Sequence, residues 1–188
     1  MPSFDNFIKI GVKFPKKDVR LPSGWPDLKE SIYNGEENYA VLTGKVNDVI
    51  VIDLDFKEET FIGLIWFREN FGEFDTLTTR SINGGYHIYF KYTSEISKKI
   101  ANKDLHIDIL STGSCCYQGK KYNIVSDNPI RELTKKEISI IKELKNKKQD
   151  KNCEEKSFSK LNKIMEMPDI TEWSVVKKEK GGHKATPL

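Results

Sequence analysis

The sequence predicts an α+β domain built on a mainly antiparallel sheet. Short runs rich in β-branched and aromatic residues recur between glycine-bearing turns: YAVLTG, DVIVIDLD, TLTTRSI, YHIYFKY and LHIDIL. Two of these runs flank the tight turn NGG, which marks a hairpin. Helical periodicity is confined to EETFIGLIWFREN and TKKEISIIKEL. Strands joined by short turns, with few helices between them, favour antiparallel pairing over a wound parallel sheet.

The elements follow in order. Residues 1–38 carry loop signals at Phe14-Pro15, at Leu21-Pro22-Ser23-Gly24-Trp25-Pro26 and at Asn34-Gly35, with a short strand or helix expected near the start. YAVLTG reads as a strand closing on a glycine turn, and DVIVIDLD as a second strand. In EETFIGLIWFREN, apolar residues recur at Phe61, Leu64, Ile65 and Phe67. Its acids come first and Arg68 late, which suits the helix dipole. TLTTRSI and YHIYFKY form the hairpin, LHIDIL is a further strand, and CCYQGKKYNIV is expected to turn back on itself around Gln118-Gly119. TKKEISIIKEL opens with a capping box, Thr134 as N-cap and Glu137 three residues on, and carries Ile138, Ile141 and Leu144 as its stripe. Beyond residue 145 the composition turns to Lys, Glu, Asn and Ser. The chain therefore divides into a folded domain over 1–145 and a charged, flexible linker or tail over 146–188.

The chain has 188 residues, 37% hydrophobic and 31% charged, which suits one domain with a core and a polar appendage. No run approaches the roughly 18 apolar residues of a membrane helix, and MPSFDNFIKIGVKF lacks the apolar centre of a signal peptide. An intracellular protein without a membrane partner is expected. Cys115, Cys116 and Cys153 make no CxxC pair, so three free thiols are expected rather than a zinc ribbon or a disulfide framework. The net charge of +3 permits a nucleic-acid partner without arguing for one.

The stretch VIDLDF places two acids where a buried strand should continue. On a strand Val49, Val51, Asp53 and Asp55 share one face, and Ile50, Ile52 and Leu54 the other. An ionised carboxylate beside such neighbours is costly unless it is paired or metal-bound. Two acceptors on one face repel, and a divalent cation relieves that repulsion; Mg²⁺ takes one or two protein carboxylates together with substrate phosphate oxygens. Acids emerging into solvent beside Lys57 are the plainer alternative. In SINGGYHIYF, His87 shares a face with Tyr89 and Lys91, one step past glycines that let a ligand approach the backbone. In LHIDIL, Asp108 shares a face with His106 and Leu110 and needs a partner if buried. Together these are the parts that two-metal phosphoryl transfer uses: carboxylates around two cations roughly 4 Å apart and a donor for the phosphates.

In this order the three pieces resemble the catalytic motifs of the archaeo-eukaryotic primase superfamily, nearest the primase-polymerase (prim-pol) domain that viruses and plasmids fuse to a helicase. VIVIDLD is similar to its acid-x-acid strand, NGGYHIYF to its Gly-Gly-x-His strand, and HIDIL to its third acidic strand. The turn STGS and the strand KKYNIVSDNPI follow as in the family, and LPSGW and VLTGK resemble its lead-in. The resemblance covers roughly residues 10–145; Ser114 stands where a second glycine is usual, and CCYQGKK replaces a Pro/Ser-rich segment.

The resemblance implies an RRM-like catalytic half beside a smaller α/β half. It implies DNA primase or polymerase activity in replication: template-directed nucleotidyl transfer to a 3′-hydroxyl with release of pyrophosphate. Asp53, Asp55 and Asp108 would bind two Mg²⁺ or Mn²⁺ ions. His87 would contact the triphosphate, with Ser81, Arg80 and Gly85 as further nucleotide contacts. Implied partners are single-stranded DNA template and primer, NTP or dNTP, and a fused or associated helicase; the implied setting is the cytoplasm or nucleus of a host cell, or a viral factory. Two other readings stay open. A metal-dependent nuclease would place a lysine such as Lys57 against the acids. A non-catalytic single-strand binder would stack bases on Trp25, Tyr89 and Tyr122.

Overall fold

A computed structural model describes residues 4–12, 21–57 and 61–145. Glu58 and Glu59, the expected first-turn acids, lie outside the described residues, as do Phe14 to Lys17, Cys153 and the whole 146–188 segment.

The described residues form a mixed α+β fold. Its strands are β1 (Lys9–Val12), β2 (Asn38–Leu42), β3 (Val49–Leu54), β4 (Thr78–Arg80), β5 (Tyr86–Lys91), β6 (Ile100–Asn102), β7 (Ile107–Leu110), β8 (Cys115–Gly119) and β9 (Asn123–Ser126). Its helices are α1 (Ile62–Phe71) and α2 (Lys135–Leu144). The strands make two sheets, one ordered β6-β7-β3-β5-β4-β9 and a smaller one ordered β1-β2-β8. Every ladder within them is antiparallel.

Strand β3 sits in the middle of the larger sheet because both of its faces are apolar. Ile50, Ile52 and Leu54 turn to one side, where Phe67 of α1 and Ile141 and Leu144 of α2 close a large core. Val51 turns to the other side and meets Tyr89, Leu110 and Cys116, the last delivered by β8 of the smaller sheet. The larger sheet thus carries helices on one face and part of the smaller sheet on the other. Helix α2 starts at the expected capping box: the Thr134 side chain accepts from the Glu137 N–H, and Glu137 accepts from the Thr134 N–H. Helix α1 lacks a side-chain cap and buries five consecutive residues, Gly63 to Phe67.

One expectation is corrected. The segment CCYQGKKYNIV is not a hairpin: β8 pairs with β2, and β9 pairs with β4 in the other sheet. Gly119 lets β8 approach the start of β2 closely, since a Cβ there would stand 2.7 Å from the Glu37 carbonyl oxygen. Of the expected smaller half, the described residues show the sheet β1-β2-β8. Its described residues carry 3-10 turns at Phe4–Asn6 and Trp25–Asp27 and no α-helix. Among the described residues no helix is long and apolar enough to cross a membrane.

Candidate metal and nucleotide site

Register assembles the site. Asp53 of β3 is the partner of Asp108 of β7 on one side and of His87 of β5 on the other. His87 in turn is the partner of Thr79 on β4. Partners across an antiparallel ladder project from the same face. Asp108, Asp53, His87 and Thr79 therefore form one line across four strands, on the face opposite the helices. Asp55 lies just past the end of β3, where its N–H donates to the His106 carbonyl at 3.0 Å. His106 adopts φ 54°, the left-handed turn that starts β7 and sets Asp108 in register.

The smaller sheet covers this face as far as Cys116 and Gln118, and the carboxylates lie at its rim. Exposure grows outward: the Asp53 side chain is 23% exposed, Asp108 33% and Asp55 52%. Burial pushes the Asp53 carboxyl up to about 7, and the charges of Asp55 and Asp108 push it the same way, against a smaller pull from Lys99 and Lys57. Burial also pushes the His87 imidazole down to about 4, opposed by Asp55 and by a hydrogen bond to the Tyr117 carbonyl. His87 is accordingly neutral at pH 7. Its contact with Asp53, Nε2 to Oδ1 at 3.4 Å, is therefore one between a neutral ring and a carboxyl rather than an ion pair.

Two lysines hold the outer acids. Lys99 Nζ is 2.6 Å from Asp108 Oδ2, and Lys57 Nζ is 3.3 Å from Asp55 Oδ2. With the side chains so engaged, no group of three His, Cys, Asp or Glu among the described residues is closed enough to hold an ion. The chemistry of the set nevertheless fits a hard divalent cation: three carboxylates supply oxygen ligands, and burial together with its neighbours' charge keeps the innermost poorly ionised.

Behind His87 lies a buried polar network that the sequence reading missed. Gln118 Nε2 stands 3.0 Å from His87 Nδ1, 2.8 Å from Thr79 Oγ1 and 2.6 Å from Tyr89 Oη. Cys116 Sγ is 3.1 Å from His87 Nδ1. The alternation in CCYQG puts Cys116 and Gln118 on one face of a strand, but no local signal says that this face meets β5. The run Cys116–His87–Asp53 has the connectivity of a nucleophile, base and acid. Cys116 is 1% exposed, however, and burial pushes its thiol up, so it is not a nucleophile within reach of a substrate.

The remaining expected contacts separate. Arg80 pairs with Tyr86, whose ring belongs to the helix-side core, so the register puts Arg80 on the face opposite His87. Ser81 belongs to the turn before β5: its N–H donates to the Gly85 carbonyl at 2.8 Å, and the Gly84 N–H to the Ser81 carbonyl at 3.0 Å. A Cβ on Gly85 would stand 2.4 Å from the Leu54 carbonyl oxygen, so the glycine lets this turn pack on the end of β3. A shallow groove lined by Asp55, Phe56, Phe61, Gly84, Gly85 and Tyr86 runs beside that turn. The larger concavity, about 420 Å³, is elsewhere, at the start of β3 beside Asp48, Lys91 and Glu132.

No protein-family model matches this chain, and no curated protein matches it either. The case for a function therefore rests on the carboxylate row and its surroundings.

Proposed function

We propose that the chain is a divalent-cation-dependent nucleotidyltransferase of the primase-polymerase kind. One observation carries the reading: Asp53 stands in register between Asp108 and His87, with Asp55 close enough to raise its proton affinity. Three acids from two separate segments thereby share one rim, as two-metal phosphoryl transfer requires. The strand path adds support. From β3 through α1, β4 and β5 to β7, the chain builds four adjacent strands ordered β7-β3-β5-β4. This is the split-βαβ arrangement behind RRM-like sheets. The second helix of that pattern is replaced before β7 by the 3-10 turn Ser94–Ile96 and β6, and α2 follows later in the chain.

On this reading Asp53, Asp55 and Asp108 hold two Mg²⁺ or Mn²⁺ ions. Bound there, the ions would lower the pKa of an attacking 3′-hydroxyl and neutralise the triphosphate and departing pyrophosphate. His87, neutral and fixed from behind, donates to a phosphate oxygen from within the same row. Lys57 and Lys99, released as the acids turn inward, face the same anionic substrate. Substrates would be NTP or dNTP on a single-stranded template with its primer, and a helicase is the expected working partner.

The lysines favour a second reading, a metal-dependent nuclease, because each already touches an acid. One assay separates the two. The full chain is incubated with a single-stranded template carrying a labelled primer, nucleotides and Mg²⁺ or Mn²⁺. Extension with pyrophosphate release, lost in Asp53→Ala and Asp108→Ala, supports the transferase. Shortening of the labelled primer supports the nuclease. The single-strand binder loses one of its stacking residues, since Tyr89 is fully buried.

A further inference from the structure

Gln118 is 2% exposed and belongs to the smaller sheet, yet its amide ends among side chains of the larger one. An amide nitrogen has two hydrogens to give. Around Gln118 Nε2 stand two hydroxyl oxygens, Tyr89 Oη at 2.6 Å and Thr79 Oγ1 at 2.8 Å, and a ring nitrogen whose role its tautomer sets, His87 Nδ1 at 3.0 Å. The Cys116 thiol, a second donor, lies 3.1 Å from the same His87 nitrogen. On the opposite side of the ring, Nε2 faces an acceptor, Asp53 Oδ1, at 3.4 Å.

A neutral imidazole carries one proton, and the partners of its two nitrogens decide where that proton sits. We infer that Gln118 is a positioning residue: by donating to His87 Nδ1, it sets the ring as the Nε2–H tautomer and aims that N–H at the carboxylate rim. The Tyr117 carbonyl also reaches the ring and favours the other tautomer. Against it, two groups that can donate stand at Nδ1, and an Asp53 oxygen faces Nε2. The smaller sheet thus contributes to the site without touching a substrate. That the N–H serves a phosphate oxygen rests on the transferase reading; the tautomer itself does not.

The test reads the ring directly. Full-length protein carrying ¹⁵N-histidine is studied by long-range ¹⁵N–¹H correlation at neutral pH, without metal or nucleotide. His87 is assigned among the three histidines by its loss in His87→Gln. The wild-type ring should carry its proton on Nε2. In Gln118→Glu, where a carboxylate accepts instead of donating, the proton should move to Nδ1. A wild-type ring protonated on Nδ1 overturns the inference, as does an Nε2–H that persists in folded Gln118→Glu. If that variant fails to fold, Gln118→Met, which removes the donor at similar length, is read instead: a fall in the Nε2–H population supports the inference, and one unchanged from wild type overturns it. If the chain extends primers, Gln118→Glu should also raise the nucleotide KM about tenfold with a smaller change in kcat, the size of effect that loss of an outer-shell partner has at a metal site. A chain inactive in that assay still reports its tautomer, so failure of the functional reading and failure of this inference are told apart.

Discussion

Asp53 and His87 face each other at 3.4 Å with proton affinities moved in opposite directions by the same burial. An ordinary carboxyl titrates near about 4 and an ordinary imidazole near about 6.5. Between about 4 and about 7 the unfolded chain releases an Asp53 proton that the folded chain keeps, so this group lowers stability as pH rises. Between about 6.5 and about 4 the unfolded chain takes up a His87 proton that the folded chain refuses, so this group lowers stability as pH falls. The two slopes oppose each other in the wild type. Asp53→Asn removes the first, and chemical denaturation of that variant should show stability rising from pH 4 to pH 6.5. Without divalent cation at pH 8, the variant should exceed the wild type by on the order of 1–3 kcal/mol, while added Mg²⁺ or Mn²⁺ should stabilise the wild type alone. A destabilised Asp53→Asn at pH 8 would show that the carboxylate has a structural partner. Gly85→Ala should be destabilising by roughly 2–4 kcal/mol in the same assay, because its methyl would meet the Leu54 carbonyl.

Strand β3 is an element whose pattern states its place. Alternate apolar residues on both faces require covers on both sides, and the covers are α1 with α2 on one side and β8 on the other. Helix α2 is readable to the same degree, from its cap to its stripe. Thr134→Ala should cost about 1 kcal/mol in thermal or chemical unfolding. Ile141→Ala, at a fully buried position over the sheet, should cost about 2–5 kcal/mol. Hydrogen bonds from Arg131 and Thr134 outweigh burial at Glu137 and hold its carboxyl below the usual range, so its contribution is present near neutrality and lost in acid. The element that misleads is β8. Its local signals, a Gln-Gly between two apolar runs, are those of a hairpin, and they were overridden by the long-range fit of Gly119 against Asn38 and of Cys116 and Gln118 against β5.

Across the whole molecule, the smaller sheet closes half of one face of the larger sheet and leaves the carboxylate row at the boundary. At that boundary Asp53 is dry enough to resist ionisation while Asp55 and Asp108 stay wet enough to change partners. Activity of the full chain should therefore depend on Mg²⁺ or Mn²⁺ and disappear with chelator. Replacing Lys99, which holds Asp108, by Met should lower the cation concentration needed for stabilisation in a thermal-shift titration, because the acid no longer has to leave an ion pair. An unchanged requirement would show that the pair does not compete with the ion. By itself, the sequence determined the elements that rest on local periodicity: the strand that carries Asp53, the hairpin that presents His87, the strand that carries Asp108 and the capped helix α2. It also determined that Asp53 and Asp108 occupy apolar strands, since alternation and burial cost are local properties. Only the tertiary structure decided that Asp53 sits in register between Asp108 and His87, that Arg80 takes the opposite face, that Lys57 and Lys99 hold the outer acids, and that Gln118 stands behind the histidine. Each of these depends on which strands become neighbours, and that choice is made by long-range burial between segments far apart in the chain.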